Sequence, residues 1–242
     1  MGNAQTAVTT SAHVSAQGEE FFAAGLATIA GYVDAYGYLT FKTYVSFMSG
    51  NTTQIGCLTG QGQLAAAMPS LVAIVSFVTG VFTGAWLTHS GADRSWRLRF
   101  GVVAVLLAVS MGLTPLGRSG GPLGIAMLSM ATGILNTAPS QVGAQRMSLT
   151  FVTGTLTRLG THLALALARA PVPDAQGPWD THGRRAFLLI VVWAGFLIGA
   201  VLGGAGTSRF GVSMLLLPLL IVLALTVFGP VQRGNADASA CR

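Results

Sequence analysis

Charge is what this chain has least of. Asp, Glu, Lys and Arg together make up 8% of its 242 residues, where a soluble domain carries about a quarter. With 52% hydrophobic residues and a mean hydropathy of +0.64, that scarcity excludes an ordinary soluble fold and indicates an integral membrane protein. Acidic residues are the rarer sign: seven Asp and Glu stand against thirteen Lys and Arg, a formal charge of +6. In a soluble protein such an excess would raise nucleic acid as a partner. Here the arginines are read as setting orientation through the positive-inside rule, and no nucleic-acid partner is expected. Cysteine is nearly absent, and Cys57 and Cys241 give no disulfide framework. Four widely spaced histidines show no ligand spacing, so neither a metal site nor a cofactor is expected. There is no HExxH, no Gly-x-Ser-x-Gly, no Walker loop and no pair of intramembrane acids, so the chain is not read as an enzyme.

What is present is apolar sequence in eight segments: about 21–41, 51–64, 70–89, 100–116, 123–138, 155–168, 185–204 and 210–228. A full crossing needs about 20 apolar residues, and the second and sixth segments are too short and too polar for that. Residues 1–18 read as a disordered N-terminal tail, 19–229 as one membrane domain and 230–242 as a C-terminal tail. Ala170 to Gly183, rich in Pro and polar residues, reads as a surface loop.

The domain reads as a duplication, with one repeat over about 21–117 and the other over about 122–229. Tyr44 to Met48 runs into Ser49-Gly50-Asn51-Thr52, and Leu149 to Val152 runs into Thr153-Gly154-Thr155-Leu156. Each is a β-prone piece followed by a Ser/Thr-Gly break whose small polar side chains suit a helix N-cap. Gly31-Tyr32-Val33-Asp34-Ala35 aligns with Gly133-Ile134-Leu135-Asn136-Thr137, and Gly80/Gly84 aligns with Gly195/Gly199. These last pairs are GxxxG patterns, expected to mark helix packing within the bundle.

Charge counting chooses between topologies. If the second and sixth segments enter and leave on one side, the cytoplasmic face receives Arg94, Arg97, Arg99, Arg146, Arg158, Arg169, Arg184, Arg185, Arg233 and Arg242, and only Lys42, Arg118 and Arg209 lie outside. The expected fold is therefore an all-α membrane protein with six transmembrane helices, two short broken or re-entrant helices and an inverted internal repeat. Both termini are expected in the cytoplasm of a bacterium, with the domain in the inner membrane. The alternative, in which the two short helices cross fully, stays open.

Asp34 is the sharpest single residue, because a carboxylate at a bilayer centre costs roughly 2.5–3.5 kcal/mol on insertion scales. Read functionally, it faces a cavity and couples protons. Read structurally, it hydrogen-bonds a break in the bundle. Two half-helix starts pointing at one place would gather N–H groups and partial positive charge suited to an anion. The candidate substrate-binding residues are accordingly Asp34, Ser49, Gly50, Asn51, Thr52, Asn136, Thr153, Gly154, Thr155 and Arg158. His162, one turn past Arg158, is expected to make a polar contact inside the bundle.

The Gly31–Ala35 motif, followed by Ser49-Gly50-Asn51 and Thr153-Gly154-Thr155-Leu156, resembles the YoaK family of small bacterial membrane proteins, with Ser49 where that family usually has Thr. The resemblance spans about 21–228 and implies a domain of unknown function. The extended-piece-then-half-helix pattern is also similar, at the level of fold alone, to the core of sulfate permeases and nucleobase transporters. The functional expectation is a secondary transporter for a small anionic or weakly acidic solute. A passive channel and a non-transporting scaffold are the alternatives. The expected partners are the lipid bilayer, the solute and a second copy in a homodimer.

Overall fold

The computed structural model describes residues 2–89, 95–113, 121–137, 141–142, 145–146, 152–175 and 177–228, with side chains from Phe22 to Val227 apart from Ser95 and the two short strands. The C-terminal tail, the charged turn at Arg94, Arg118 and the extended piece before Val152 lie outside these residues. The architecture is helical: α1 (Gly2–Phe41), α2 (Met48–Gly60), α3 (Leu64–His89), α4 (Ser95–Gly112), α5 (Pro122–Leu135), α6 (Val152–Leu167), α7 (His182–Phe210) and α8 (Leu216–Phe228). A two-residue antiparallel ladder, β1 (Gln141–Val142) with β2 (Gln145–Arg146), lies between α5 and α6.

Several boundaries differ from the sequence expectation. α1 is already helical at Gly2, through a stretch whose composition suggests a disordered tail. That stretch is rich in Ala, the best helix former, and contains no Pro. The two short helices begin at Met48 and Val152, so Ser49 and Thr153 sit inside a first turn. The N-cap of α2 is Phe47, with no side-chain cap bond. The stretch 170–183 is a built part of the molecule: Arg185 donates to both Asp180 carboxylate oxygens at 2.8 Å and to Asp174 at 3.0 Å. Asp180 and Arg185 are both buried.

By length and hydropathy, two described stretches suffice to cross a bilayer: Leu64–His89, and the run His182–Val227. The second is bent at Gly211, where φ is 54° and a 3-10 turn (Gly211–Leu215) separates α7 from α8. Tyr32 Oη donates to the Met214 carbonyl at 3.1 Å, so this turn is tied back to α1. The outer surface is apolar, with Phe82, Trp86 and Val201 all exposed. The exposed Thr79, Thr83, Thr157 and Thr161 return their hydroxyls to the carbonyl four residues earlier, which removes a free donor from a lipid-facing helix.

The most extensive packing joins α1 to α7 and α3 to α5. Both pairs are parallel and approach backbone to backbone through glycine. Gly195, Gly199 and Gly203 meet Ala24, Thr28 and Tyr32 in that order, and Gly80 and Gly84 meet Met130 and Thr137. Gly31 rests on the Phe196 carbonyl, as Gly133 rests on that of Phe77. The GxxxG motifs thus pack within the bundle. The contacts register Gly80 with Gly199, one turn from the Gly195 that sequence alignment selects. Phe22 meets Phe100 edge to face at 6.3 Å, and Arg99 donates to the Thr137 carbonyl at 3.1 Å. Phe22 in the middle of α1 and the start of α4 therefore lie level with the end of α5. Arg97 and Arg99 at the start of α4 and Arg184 and Arg185 at the start of α7 lie toward that end, opposite Lys42 after α1 and Arg209 at the end of α7.

Candidate functional site

Between α1 and α2 the chain runs non-helical from Lys42 to Phe47. A non-helical stretch inside an apolar bundle leaves backbone groups that water cannot reach, each costly unless bonded. Here side chains supply the partners. Asp34 Oδ1 accepts from the N–H of Val45 at 2.9 Å and of Ser46 at 2.8 Å. Asn51 takes both groups of Tyr44: its Oδ1 accepts the N–H at 3.1 Å, and its Nδ2 donates to the carbonyl at 2.7 Å. Thr132 of α5 donates to the Val45 carbonyl at 2.7 Å. Gln54 donates to the Lys42 carbonyl at 3.3 Å. Gly37 lets the segment lie this close, since a Cβ there would stand 2.6 Å from Val45 Cγ1. Asp34, Asn51 and Thr132 are all buried.

On the other side of this clamped segment opens a groove of about 590 Å³, lined by Tyr38, Lys42, Tyr44, Phe47, Ser49, Gly50, Thr53 and Gln54. Tyr38 and Tyr44 stack at 4.8 Å, and Phe47 meets Tyr44 edge-on at 5.3 Å. Gly50 leaves room for the Phe47 ring, which would lie 2.5 Å from a Cβ at that position. Lys42 Nζ lies 6.0 Å from the centre of the Tyr38 ring. Among the described residues the lining contains no carboxylate. Chemically the described lining offers one cation, the four hydroxyls of Tyr38, Tyr44, Ser49 and Thr53, and the Gln54 amide beside an aromatic wall.

The candidate residues thus separate. Ser49 and Gly50 line the groove, while Asp34 and Asn51 hold the backbone that forms its floor. Thr52 turns its hydroxyl onto the Met48 carbonyl. Asn136 is the C-cap of α5. Thr155 is buried on α6, where Thr153 and Arg158 are exposed. Among the described residues α2 packs chiefly on α3 and α6 on α7, so the two short helices do not pack along one another. Sequence reasoning missed Lys42, Tyr38, Tyr44 and Thr132. The available signals were that Lys42 is the chain's one lysine and that all four tyrosines fall between positions 32 and 44.

A helical bundle with an apolar surface and a side-chain-clamped break defines a small helical membrane protein. The chain belongs to the family described as "Protein of unknown function (DUF1275)", whose profile matches residues 22–228. It is 31% identical over 207 residues to the UPF0700 transmembrane protein RA0705 of Rhizobium meliloti (strain 1021), covering 84% of this chain and 82% of that one. It is 28% identical over 141 residues to the UPF0700 transmembrane protein YoaK of Bacillus subtilis (strain 168), covering 55% and 62%. No solved structure matches. Membership in the YoaK family, expected from the motifs, is therefore established.

Proposed function

We propose that the protein is a permease for a small anionic or weakly acidic solute, which docks in the groove between the end of α1, the 42–47 segment and α2. The observation that carries this reading is the groove itself: Lys42 lies over the Tyr38 ring in a lining that, among the described residues, has no carboxylate. An anion there would gain a charge-assisted contact from Lys42 and a hydrogen bond from the Ser49 hydroxyl. Six crossings arranged as an inverted repeat are supported by the Phe22–Phe100 contact: with crossings counted from about residue 21, eight full crossings would put Phe22 and the start of α4 on opposite sides, whereas the parallel pairs α1–α7 and α3–α5 fit either count. The arginines at one end then mark the cytoplasmic face, and the groove opens at the other. A homodimer stays part of this proposal.

The second reading, a non-transporting scaffold, is favoured by one observation: Asp34 and Asn51 spend their polar atoms on the chain itself. Flux separates the two. Purified protein in liposomes should take up small carboxylates or inorganic anions, and Lys42→Gln should weaken half-saturation by about tenfold, the equivalent of about 1.4 kcal/mol. Uptake unaffected by Lys42→Gln would remove the groove as the site. No uptake of any anion would favour the scaffold.

A further inference from the structure

The helix that repeats α2 carries a feature α2 lacks. His162 in α6 and His182 at the start of α7 are both buried, and their Nδ1 atoms lie 2.9 Å apart. At that distance one hydrogen must lie between the nitrogens, because two lone pairs repel and two N–H groups collide. The second ring nitrogen of His182, Nε2, is 3.3 Å from the Pro171 carbonyl. A carbonyl only accepts, so Nε2 carries a hydrogen and neutral His182 offers a lone pair at Nδ1. His162 must then donate from its own Nδ1, which leaves a lone pair on His162 Nε2 with no partner among the described residues. The charged groups facing the pair are Arg185, Asp174 and Asp180, with one net negative charge between them. Arg158 lies one turn earlier on α6 and is exposed.

We propose that His162 and His182 form a one-proton binding site, and that this dyad rather than Asp34 is the coupling group of the permease. The proton enters on His162 Nε2. The resulting imidazolium still donates from Nδ1 to His182, now in a charge-assisted bond. A second proton would have to occupy His182 Nδ1, the acceptor of that bond, and would set two cations in contact. The dyad therefore stops at one. His162 and Thr155 are the buried residues of α6 and stand two turns apart on one face. A charge gained at the dyad is thus felt where the Thr153-Gly154-Thr155 turn packs, and α6 is held chiefly by α7. Asp34, by contrast, is a fixed anchor engaged with two backbone donors. The coupling half of the proposal rests on the permease reading; the proton site does not.

The test is nitrogen-15 NMR of histidine-labelled full-length protein in nanodiscs. Near neutral pH, His162 should appear with its hydrogen on Nδ1 and His182 with its hydrogen on Nε2. On acidification the pair should gain one proton, on His162 Nε2, while the Nδ1–H signal persists. Two independent titrations, or both rings carrying hydrogen on Nε2, would overturn the site. In liposomes, His162→Gln, which keeps an N–H donor for His182 but cannot titrate, should give uptake indifferent to a pH gradient. Uptake by His162→Gln that still follows the gradient would overturn the coupling role. A one-proton titration in a protein that transports no anion would sink the permease reading and leave the dyad standing.

Discussion

Asn51 bonds both backbone groups of Tyr44, taking its N–H at 3.1 Å and giving to its carbonyl at 2.7 Å. An amide offers an acceptor and a donor side by side, and Asn51 uses both to fix one residue of a non-helical segment. A position that reads as a solute ligand in sequence thereby becomes part of the wall against which a solute would rest.

Asn51→Ala leaves two buried backbone groups without partners, each costing about 1–3 kcal/mol. We expect a clear fall in the melting temperature of the detergent-solubilised protein. Asn51→Asp turns a carboxylate oxygen onto the Tyr44 carbonyl and buries a charge, so it should melt no higher than Asn51→Ala. Equal melting of all three proteins would show that the clamp contributes nothing.

At Asp34, the oxygen that receives both N–H groups survives in Asn but not in Ala. Asp34→Asn should therefore fold with a modest loss, and Asp34→Ala should be destabilised by several kcal/mol from two orphaned donors. Thermal melting with tryptophan fluorescence measures both. A larger loss in Asn than in Ala would contradict the anchoring role.

Arg185 offers a contrast between its two partners. Asp180 is buried in the pair and Asp174 is 46% exposed. Asp180→Ala strands a buried guanidinium and should cost about 3–5 kcal/mol, whereas Asp174→Ala should cost less than about 1 kcal/mol. Denaturation of the two variants side by side checks the ranking.

The direction of the helices predicts membrane sidedness. In a protein with Cys57 and Cys241 replaced by Ser, single cysteines at Ser95 and Asp180 should share one side, and cysteines at Lys42 and Arg209 the other. Since Asp180 is buried against Arg185, Thr181, which is exposed, serves as its stand-in if labelling there is slow. Impermeant maleimide on intact and opened cells reads this out, and opposite sides for Ser95 and Thr181 would refute the inverted arrangement.

Much of the site was visible as polarity out of place. Asp34, Asn51 and the Ser49-Gly50 step are conspicuous because the surrounding chain is apolar. Their partners were not, because Asp34 meets the N–H groups of Val45 and Ser46 and Asn51 meets the backbone of Tyr44. Every residue but proline carries such groups, so no residue type signals them. The helix register was ambiguous for a related reason: Gly195, Gly199 and Gly203 recur every four residues, and any of them satisfies a small-residue pattern. Only contact with Ala24, Thr28 and Tyr32 fixes which turn faces which. His182 lay hidden within a Pro-rich stretch that reads as a surface loop, although Asp180 and Arg185 bind that stretch into the bundle.

The sequence by itself determined that this is a helical membrane protein, where its apolar helices fall and which polar residues are exceptional. Scarce charge and apolar runs are properties of the chain that need no partner to be read. Tertiary structure alone decided which of those polar atoms are consumed in holding the fold and which remain at a groove. That division depends on backbone groups and close helix approaches, brought together from positions as distant as Val45 and Thr132 only when the chain is folded.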